Sequence, residues 1–430
     1  MIRNSLRVVS VAIIALTPLV APAAAGARTA APPEKSLPSD TRFLVPPPDP
    51  GAVRQVVDLF RHHQINDALL IAKMATTPQA VWITKGTPAE ARKAVHQAVV
   101  LADREHAVAV LVAYNIPGRD CANLSAGGAT TEADYQAWID GFAAGLGSHK
   151  AVVILEPDGI GLLPGSNCGG PTASYPYTDV ERFAELNYAV GKLEAQPGAL
   201  VYLDGTHSSW LNVHDISTRL IQAGVQSTQG FFLDVSNFQF TANQEQYGTW
   251  ISKCIARITA NAAADCPDQY WNGGPHPALI ADLLGEWTGV ALDRYGVWSD
   301  TSTTPTLNTS GENVRYADTT GTTHFVIDTS RNGLGPWHYP SSYASDAAAL
   351  DWCNPPGRGL GARPTANPGT PLVDAYLWVK TPGQSDGTCN RNGTAVGSPD
   401  PEWGGIVDPA AGAWFPQQAL QLAQLAEPPI

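Results

Sequence analysis

From residue 80 onward, short unbroken apolar runs alternate with longer stretches of mixed apolar and polar positions. Seven runs bounded by Gly, Pro and polar residues read as buried strands: Ala80–Thr84, Val108–Tyr114, Val152–Leu155, Leu200–Leu203, Gly230–Val235, Phe325–Ile327 and Ala375–Val379. Between most of them lie helix-like stretches, Pro88–His106, Thr131–Leu146, Asp179–Glu194 and Asn243–Ala262. Thr131, with Asp134 following, reads as a cap at the start of the second. Strand and helix repeated in this way predict an α/β fold with a parallel sheet covered by helices. The number of units predicts a closed or nearly closed β/α barrel in a single domain, rather than an open sheet. The stretch Pro267–Thr323 breaks the rhythm and reads as a long insertion over one barrel face.

The last six runs each lead directly into polar residues: Arg119-Asp120, Glu156 and Asp158, Asp204 and His207, Ser236-Asn237, Asp328 and Arg331, and Lys380. On a β/α barrel, active sites are built where strands emerge at that end. Two aspartates stand out. Asp158, in Leu155-Glu156-Pro157-Asp158-Gly159, reads either as a helix N-cap or as a general acid kept protonated by apolar surroundings or a neighbouring carboxylate. Asp120 reads either as a surface partner of Arg119 or as that neighbouring carboxylate. Asp386 precedes Gly387 and reads as a turn residue, or, with Lys380 at the strand end and Cys389 close by, as part of the same site. His207 and Trp210 share one strand-end loop and suit a hydroxyl hydrogen bond and a stacking face for a sugar. Trp82 and Trp352 are further stacking candidates, with core packing the alternative for each.

Composition narrows the partners. The chain has 430 residues, 44% of them hydrophobic and only 15% charged, with 40 Gly and 35 Pro, which suits a loop-rich exported enzyme. A net charge of −13 disfavours nucleic acid and anionic membranes as partners. Arg3 and Arg7, the apolar stretch Val8 to Val20 and Ala23-Ala24-Ala25 read as a signal peptide over residues 1–25. An Ala/Pro-rich leader follows over 26–41, then one catalytic domain over 42–430. No GxSxG nucleophile elbow, phosphate loop or dinucleotide fingerprint is present, and no His or Cys spacing supports a metal. Neither metal nor cofactor is expected. Six Cys in an exported chain point to disulfides. Sequential pairing is the favoured arrangement: Cys121–Cys168, Cys254–Cys266 and Cys353–Cys389.

Taken in order, these motifs resemble glycoside hydrolase family 6, the β-1,4-glucanases that include cellobiohydrolases and endoglucanases. The resemblance is carried by Val112 to Cys121 with Ser125 to Gly128, by Val153 to Asp158, and by Tyr202-Leu203-Asp204 with His207 and Trp210. Ile327 to Gly333, Trp352-Cys353-Asn354, and Trp378-Val379-Lys380 with Gly383 and Asp386 complete it. It spans roughly residues 75 to 425. It implies a distorted β/α barrel and hydrolysis with inversion at the anomeric carbon. Asp158 then corresponds to the catalytic acid, Asp120 to the aspartate that assists it and orders water, and Asp386 to the proposed base. Tyr114 corresponds to the tyrosine that crowds the sugar at the cleavage point. Trp82, Ser125, His207, Trp210, Asn237, Trp352 and Lys380 fall in the motifs that contact the sugar. Two of the three disulfides, Cys121–Cys168 and Cys353–Cys389, match the family's own. Inversion needs a water between base and anomeric carbon, so the two working carboxyls are expected roughly 6.5–9.5 Å apart. A proton passed on by Asp120 through water would relax that requirement.

One departure stands out: many members carry Glu two residues before the proposed base, where this chain has Gln384. The segment 250–323 is also longer than in compact endoglucanases. Only two residues separate Asp386 from Cys389, so an open cleft and internal cutting are expected rather than a roofed, exo-acting tunnel. The insertion supplies the alternative roof. No segment reads as a separate carbohydrate-binding module, which favours soluble or amorphous chains as substrate. A monomer is expected. A glycan-binding protein on a retired hydrolase barrel is the contrasting reading, and the presence of both Asp120 and Asp158 speaks against it.

Overall fold

In the computed structural model, residues 35–262, 264, 266 and 292–430 are described. The signal-peptide and leader expectations lie almost wholly outside them, as does the middle of the insertion. Seven parallel strands form one sheet in chain order: β1 Val81–Ile83, β2 Ala109–Ala113, β3 Ala151–Leu155, β4 Ala199–Asp204, β5 Gly230–Leu233, β6 His324–Asp328 and β7 Val373–Leu377. Neighbours pair in parallel throughout, for example Leu111 with Val153 and Val153 with Val201. The sheet curls into a distorted barrel. β1 and β7 share no ladder; their ends are joined by a backbone bond from Ala80 N–H to Trp378 O, 2.9 Å, and by Trp82 Nε1 donating to Val379 O, 2.8 Å.

Alternation along the strands explains two separate cores. Val110, Val112, Val152, Ile154, Leu200, Phe232 and Val326 point into the barrel and pack on one another. Leu111, Ala113, Val153, Leu155, Val201 and Leu203 point outward beneath the helices, against Trp138, Phe142, Leu186 and Leu220. Period-two side-chain placement makes both faces apolar, which is why these strands read as continuous hydrophobic runs.

The helices among the described residues are α1 Pro50–Arg61, α2 Ile65–Ala75, α3 Pro88–Arg104, α4 Glu132–Leu146, α5 Asp179–Glu194, α6 Val213–Gln222, α7 Thr241–Ala260, α8 Ser310–Arg315, α9 Asp346–Ala349 and α10 Pro416–Gln424. Their starts follow capping rules. Thr87 and Glu90 close a capping box before α3, as do Thr178 and Glu181 before α5. Thr131 accepts from Asp134 N–H at the head of α4, as the sequence predicts. α1, α2, α6, α8, α9 and α10 are additions to the sequence reading. The first two and the last pack together on Trp378, through Ala68, Ile71, Met74, Ala419 and Leu422, and cover the β1–β7 junction.

The helix expected over Asn243–Ala262 is α7, so the first residues of the segment 250–323 are helical. Trp250 to Ala260 belong to α7, the ordinary helix after β5. From residue 292 onward, Leu292, Trp298 and Tyr316 are buried in the same outer core as Trp250.

Candidate active site

At the C-terminal strand ends the backbone turns sharply. Asp120 (φ 55°), Glu156 (φ 51°), Asp158 (φ 64°), Thr206 (φ 59°), Asp234 (φ 65°), Ser236 (φ 61°) and Asn354 (φ 41°) all occupy the left-handed region that non-glycine residues rarely visit. Such conformations persist where surrounding structure over-determines them, and they concentrate at functional sites. Three of them, Asp120, Asp158 and Ser236, line a cavity of about 800 Å³. Asp120, Asp158, Asp386, Tyr114, Trp82, Ser125, His207, Trp210, Asn237, Trp352, Lys380 and Gln384 all line it.

The β2 and β3 loops hold the first two aspartates. Asp120 accepts Ser125 N–H at 2.5 Å, and Cys121–Cys168 ties its loop to the one after β3. Arg119 does not serve as its surface partner. The guanidinium turns away to Thr84 O (2.8 Å), Ser125 O (2.9 Å) and Tyr114 O, and covers the Tyr114 ring at 4.5 Å. Gly128 lets the loop return, since a Cβ there would lie 2.0 Å from Ile116 O. Asp158 does not cap a helix: its carbonyl accepts Leu162 N–H in a turn, and the next helix starts at Asp179. The side chain stays half-buried on the cavity wall.

Beneath these loops lies a layer of buried side chains that sequence reasoning did not commit to. Glu156 accepts Asn115 N–H (2.9 Å) and Ile116 N–H (3.0 Å). Arg182 of α5 donates to Pro117 O (2.8 Å), Gly159 O (2.8 Å) and Leu162 O (3.2 Å), and so joins the two aspartate loops. Asp204 takes Ile160 N–H and Gly161 N–H at 3.3 and 3.1 Å and Thr206 N–H at 2.9 Å. Glu156, Asp204, Asp328 and Arg331 were visible as polar residues just past a strand. Arg182 sits within a helix and gave no such signal.

Proton affinities diverge around the cavity. Burial, then the charges of Asp204 and Asp120, push Asp158 well above the usual carboxylate range, against the pull of Lys380. Burial also raises Asp120, although Ser125 N–H and Arg119 oppose it. Asp386 is buried too, but Arg331 (2.8 Å) and Lys380 (3.0 Å) outweigh the cost and hold it below its ordinary value. Burial, with the Arg294 charge adding, depresses His207 to about 3, so it is a neutral hydrogen-bonding group at working pH. Asp386 is thus no exposed turn residue. Gln384 donates to Asp49 Oδ2 at 2.9 Å, so a carboxylate from the head of α1 sits beside position 384.

The buried carboxyls have a consequence for stability. Burial raises Glu156 to about 7, Asp408 to about 7 and Glu185 to about 8. The folded protein then binds more protons than the unfolded chain, whose carboxyls titrate near 4, so stability falls as pH climbs through 7 and 8. Protonation of the depressed His207 opposes this only below about 6.5. Melting temperature is therefore expected to drop between pH 6.5 and 8 at constant ionic strength, and a rise over that interval would contradict the assignment.

Known proteins converge on this geometry. A family model for glycosyl hydrolases family 6 matches residues 38–426. The chain belongs to that family. The family's endoglucanase A from Cellulomonas fimi is 34% identical over 366 residues, 84% of this chain but 57% of the relative. The 1,4-β-D-glucan cellobiohydrolase C of Emericella nidulans is 29% identical over 338 residues, covering 74% of this chain and 61% of the relative. The chain thus spans somewhat over half the length of such relatives. Among solved family 6 structures, the endoglucanase Cel6 from Mycobacterium tuberculosis, in complex with methyl-cellobiosyl-4-deoxy-4-thio-β-D-cellobioside, superposes with a TM-score of 0.61 and 30% identity. It covers 90% of this chain and 97% of that one. Disulfides form as the sequence reading paired them, including Cys254–Cys266 and Cys353–Cys389.

Proposed function

We propose that this chain is a secreted, inverting β-1,4-glucanase that cuts cellulose chains internally, with Asp158 as general acid and Asp386 as base. The observation that carries the reading is the opposed proton affinity of two carboxyls in one cavity. Asp158 is held protonated by burial and like charge, while Asp386 is held ionised by Arg331 and Lys380. Environments that push two carboxyls apart in this way assign acid and base. Asp158 gives its proton to the glycosidic oxygen as the bond breaks. A water on the opposite face attacks the anomeric carbon, and its proton passes to the base side. Trp82, Trp210 and Trp352 offer ring faces for sugars. His207, Asn237, Ser125 and Gln384 offer hydrogen bonds to hydroxyls, and Tyr114, pinned under Arg119, crowds the ring at the point of cleavage. No metal or cofactor enters this scheme, and the enzyme acts as a monomer.

One observation favours a second proton route. A carboxylate paired with two cations has little affinity for a proton, whereas Asp120 has its affinity raised. Asp120 would then take the water's proton while Asp386 orients the water. The two routes separate in pH profiles: the acid limb of kcat disappears in Asp386→Asn under the first and in Asp120→Asn under the second.

Internal cutting is supported by the endoglucanases among the relatives and by the short connection from Asp386 to Cys389. Viscosity of a soluble cellulose derivative, recorded against new reducing ends, tests it. A steep viscosity fall for few new ends, absent in Asp158→Asn, is the expected result. Reducing ends that accumulate with little viscosity loss would establish an exo-acting enzyme instead. Binding of the glucan without hydrolysis would leave a glycan-binding protein.

A further inference from the structure

The carboxylate of Asp386 is held by more than its two cations. Asn354, wholly buried on the loop before β7, touches it twice. Its backbone N–H donates to Asp386 Oδ2 at 3.0 Å, and its side-chain Oδ1 accepts Asp386 N–H at 2.8 Å. The amide nitrogen is fixed in turn by Ser385 Oγ (2.9 Å), Gly387 O (3.0 Å) and Asp408 Oδ2 (2.9 Å). Those three acceptors leave only one orientation of the amide, with Oδ1 toward Asp386. The Asn354 carbonyl is engaged too, by Trp403 Nε1 at 2.7 Å and Arg391 at 3.3 Å. Arg391 also pairs with buried Asp400 at 3.0 Å. The neighbouring Cys353 is bonded to Cys389, three residues past Asp386, so the two segments cannot drift apart.

We propose that Asn354 is the positioning residue for Asp386, and that Asp408 sets its orientation by anchoring the amide. This rests on the reading of Asp386 as a group the reaction needs. The side chain has saturated every donor and acceptor and does not line the cavity, so it acts through Asp386 and not on the sugar. Its left-handed backbone (φ 41°) is tolerated by Asn at little cost, and would be tolerated by Gly.

Two substitutions test this on the full chain with a soluble cellulose derivative. Asn354→Gly keeps the backbone N–H on Asp386 Oδ2 and removes only the side chain. With misplacement of a reacting group costing up to about 10²-fold, kcat is expected to fall ten- to a hundred-fold with KM within about twofold of wild type. Asn354→Asp keeps the acceptor for Asp386 N–H but titrates among Asp386, Asp408 and Asp400, with Arg391, Arg331 and Lys380 as the nearby cations. Protonated, its hydroxyl replaces the amide donor; ionised, it repels Asp408. Its kcat is expected to approach wild type at acid pH and collapse as pH rises, a shift that loss of packing alone would not produce. Asp386→Asn run in parallel separates the two readings. If Asp386→Asn is inactive while both folded Asn354 variants match wild type in kcat and pH profile, the positioning role is overturned. If Asp386→Asn hydrolyses at the wild-type rate, the role assigned to Asp386 falls and the proposal with it.

Discussion

Asp158→Asn is expected to lose about 10²–10⁴-fold in kcat on soluble glucan while its KM stays near the wild-type value. The amide matches the carboxylic acid in size but has no proton to give a leaving oxygen. Folding should not suffer. Burial and the charges of Asp204 and Asp120 already keep the wild-type carboxyl protonated, so a neutral amide of the same shape changes no charge and the melting temperature at neutral pH should stay near that of wild type. The same crowding sets the alkaline limb of the pH profile. Asp120→Asn withdraws one of those charges and keeps an acceptor for Ser125 N–H, so the acid of that variant should ionise sooner and its alkaline limb move to lower pH. An Asp158→Asn enzyme that retains a tenth of its activity would remove Asp158 as the acid.

Arg182→Met should produce the largest loss of stability from a residue that never meets substrate. Its guanidinium is buried, and it donates to the carbonyls of Pro117, Gly159 and Leu162. Methionine fills much of the volume and satisfies none of these acceptors. Each orphaned buried acceptor costs about 1–3 kcal/mol, so a total of about 4 kcal/mol is expected from denaturant unfolding. Glu185, the acidic neighbour at 3.8 Å, limits this figure little, since burial keeps it largely protonated near neutrality. Activity should fall further than unfolding explains, because the same three bonds hold the Asp120 and Asp158 loops in register. A variant within about 1 kcal/mol of wild type would show that those carbonyls find water instead.

The strands were legible because a barrel strand buried on both faces needs an unbroken apolar run, as in Ala151–Leu155, and each ended within two residues of its expected place. The chemistry was legible because polar residues just past those ends either line the cavity, as Asp120, Asp158 and Lys380 do, or lie buried beneath it, as Glu156 and Asp204 do. What stayed hidden depends on contacts between distant parts of the chain. α1 and α10 carry their apolar positions toward each other and toward Trp378, a partner more than three hundred residues from α1. Arg182 looks like any helix-surface cation until the loops fold over it. Asn354 was noticed only as part of a motif, and its two bonds to Asp386 come from a segment 32 residues away. Gln384 read as a lost charge, whereas Asp49 from the other end of the sequence stands beside it.

The junction between β1 and β7 bears on how the chain is made. Strands β1 to β7 pair in the order in which they leave the ribosome, so most of the ladder can form by successive local steps. The patch over the junction cannot. α1 and α2 emerge early, with Ala68, Ile71 and Met74 ready to be covered, yet their partners Ala419 and Leu422 arrive only with the last helix. Until α10 arrives, Ala68, Ile71 and Met74 lack the partners that cover them in the folded protein. Those helices are where a half-made chain is most exposed to the wrong partner, and the final turns of α10 end that interval.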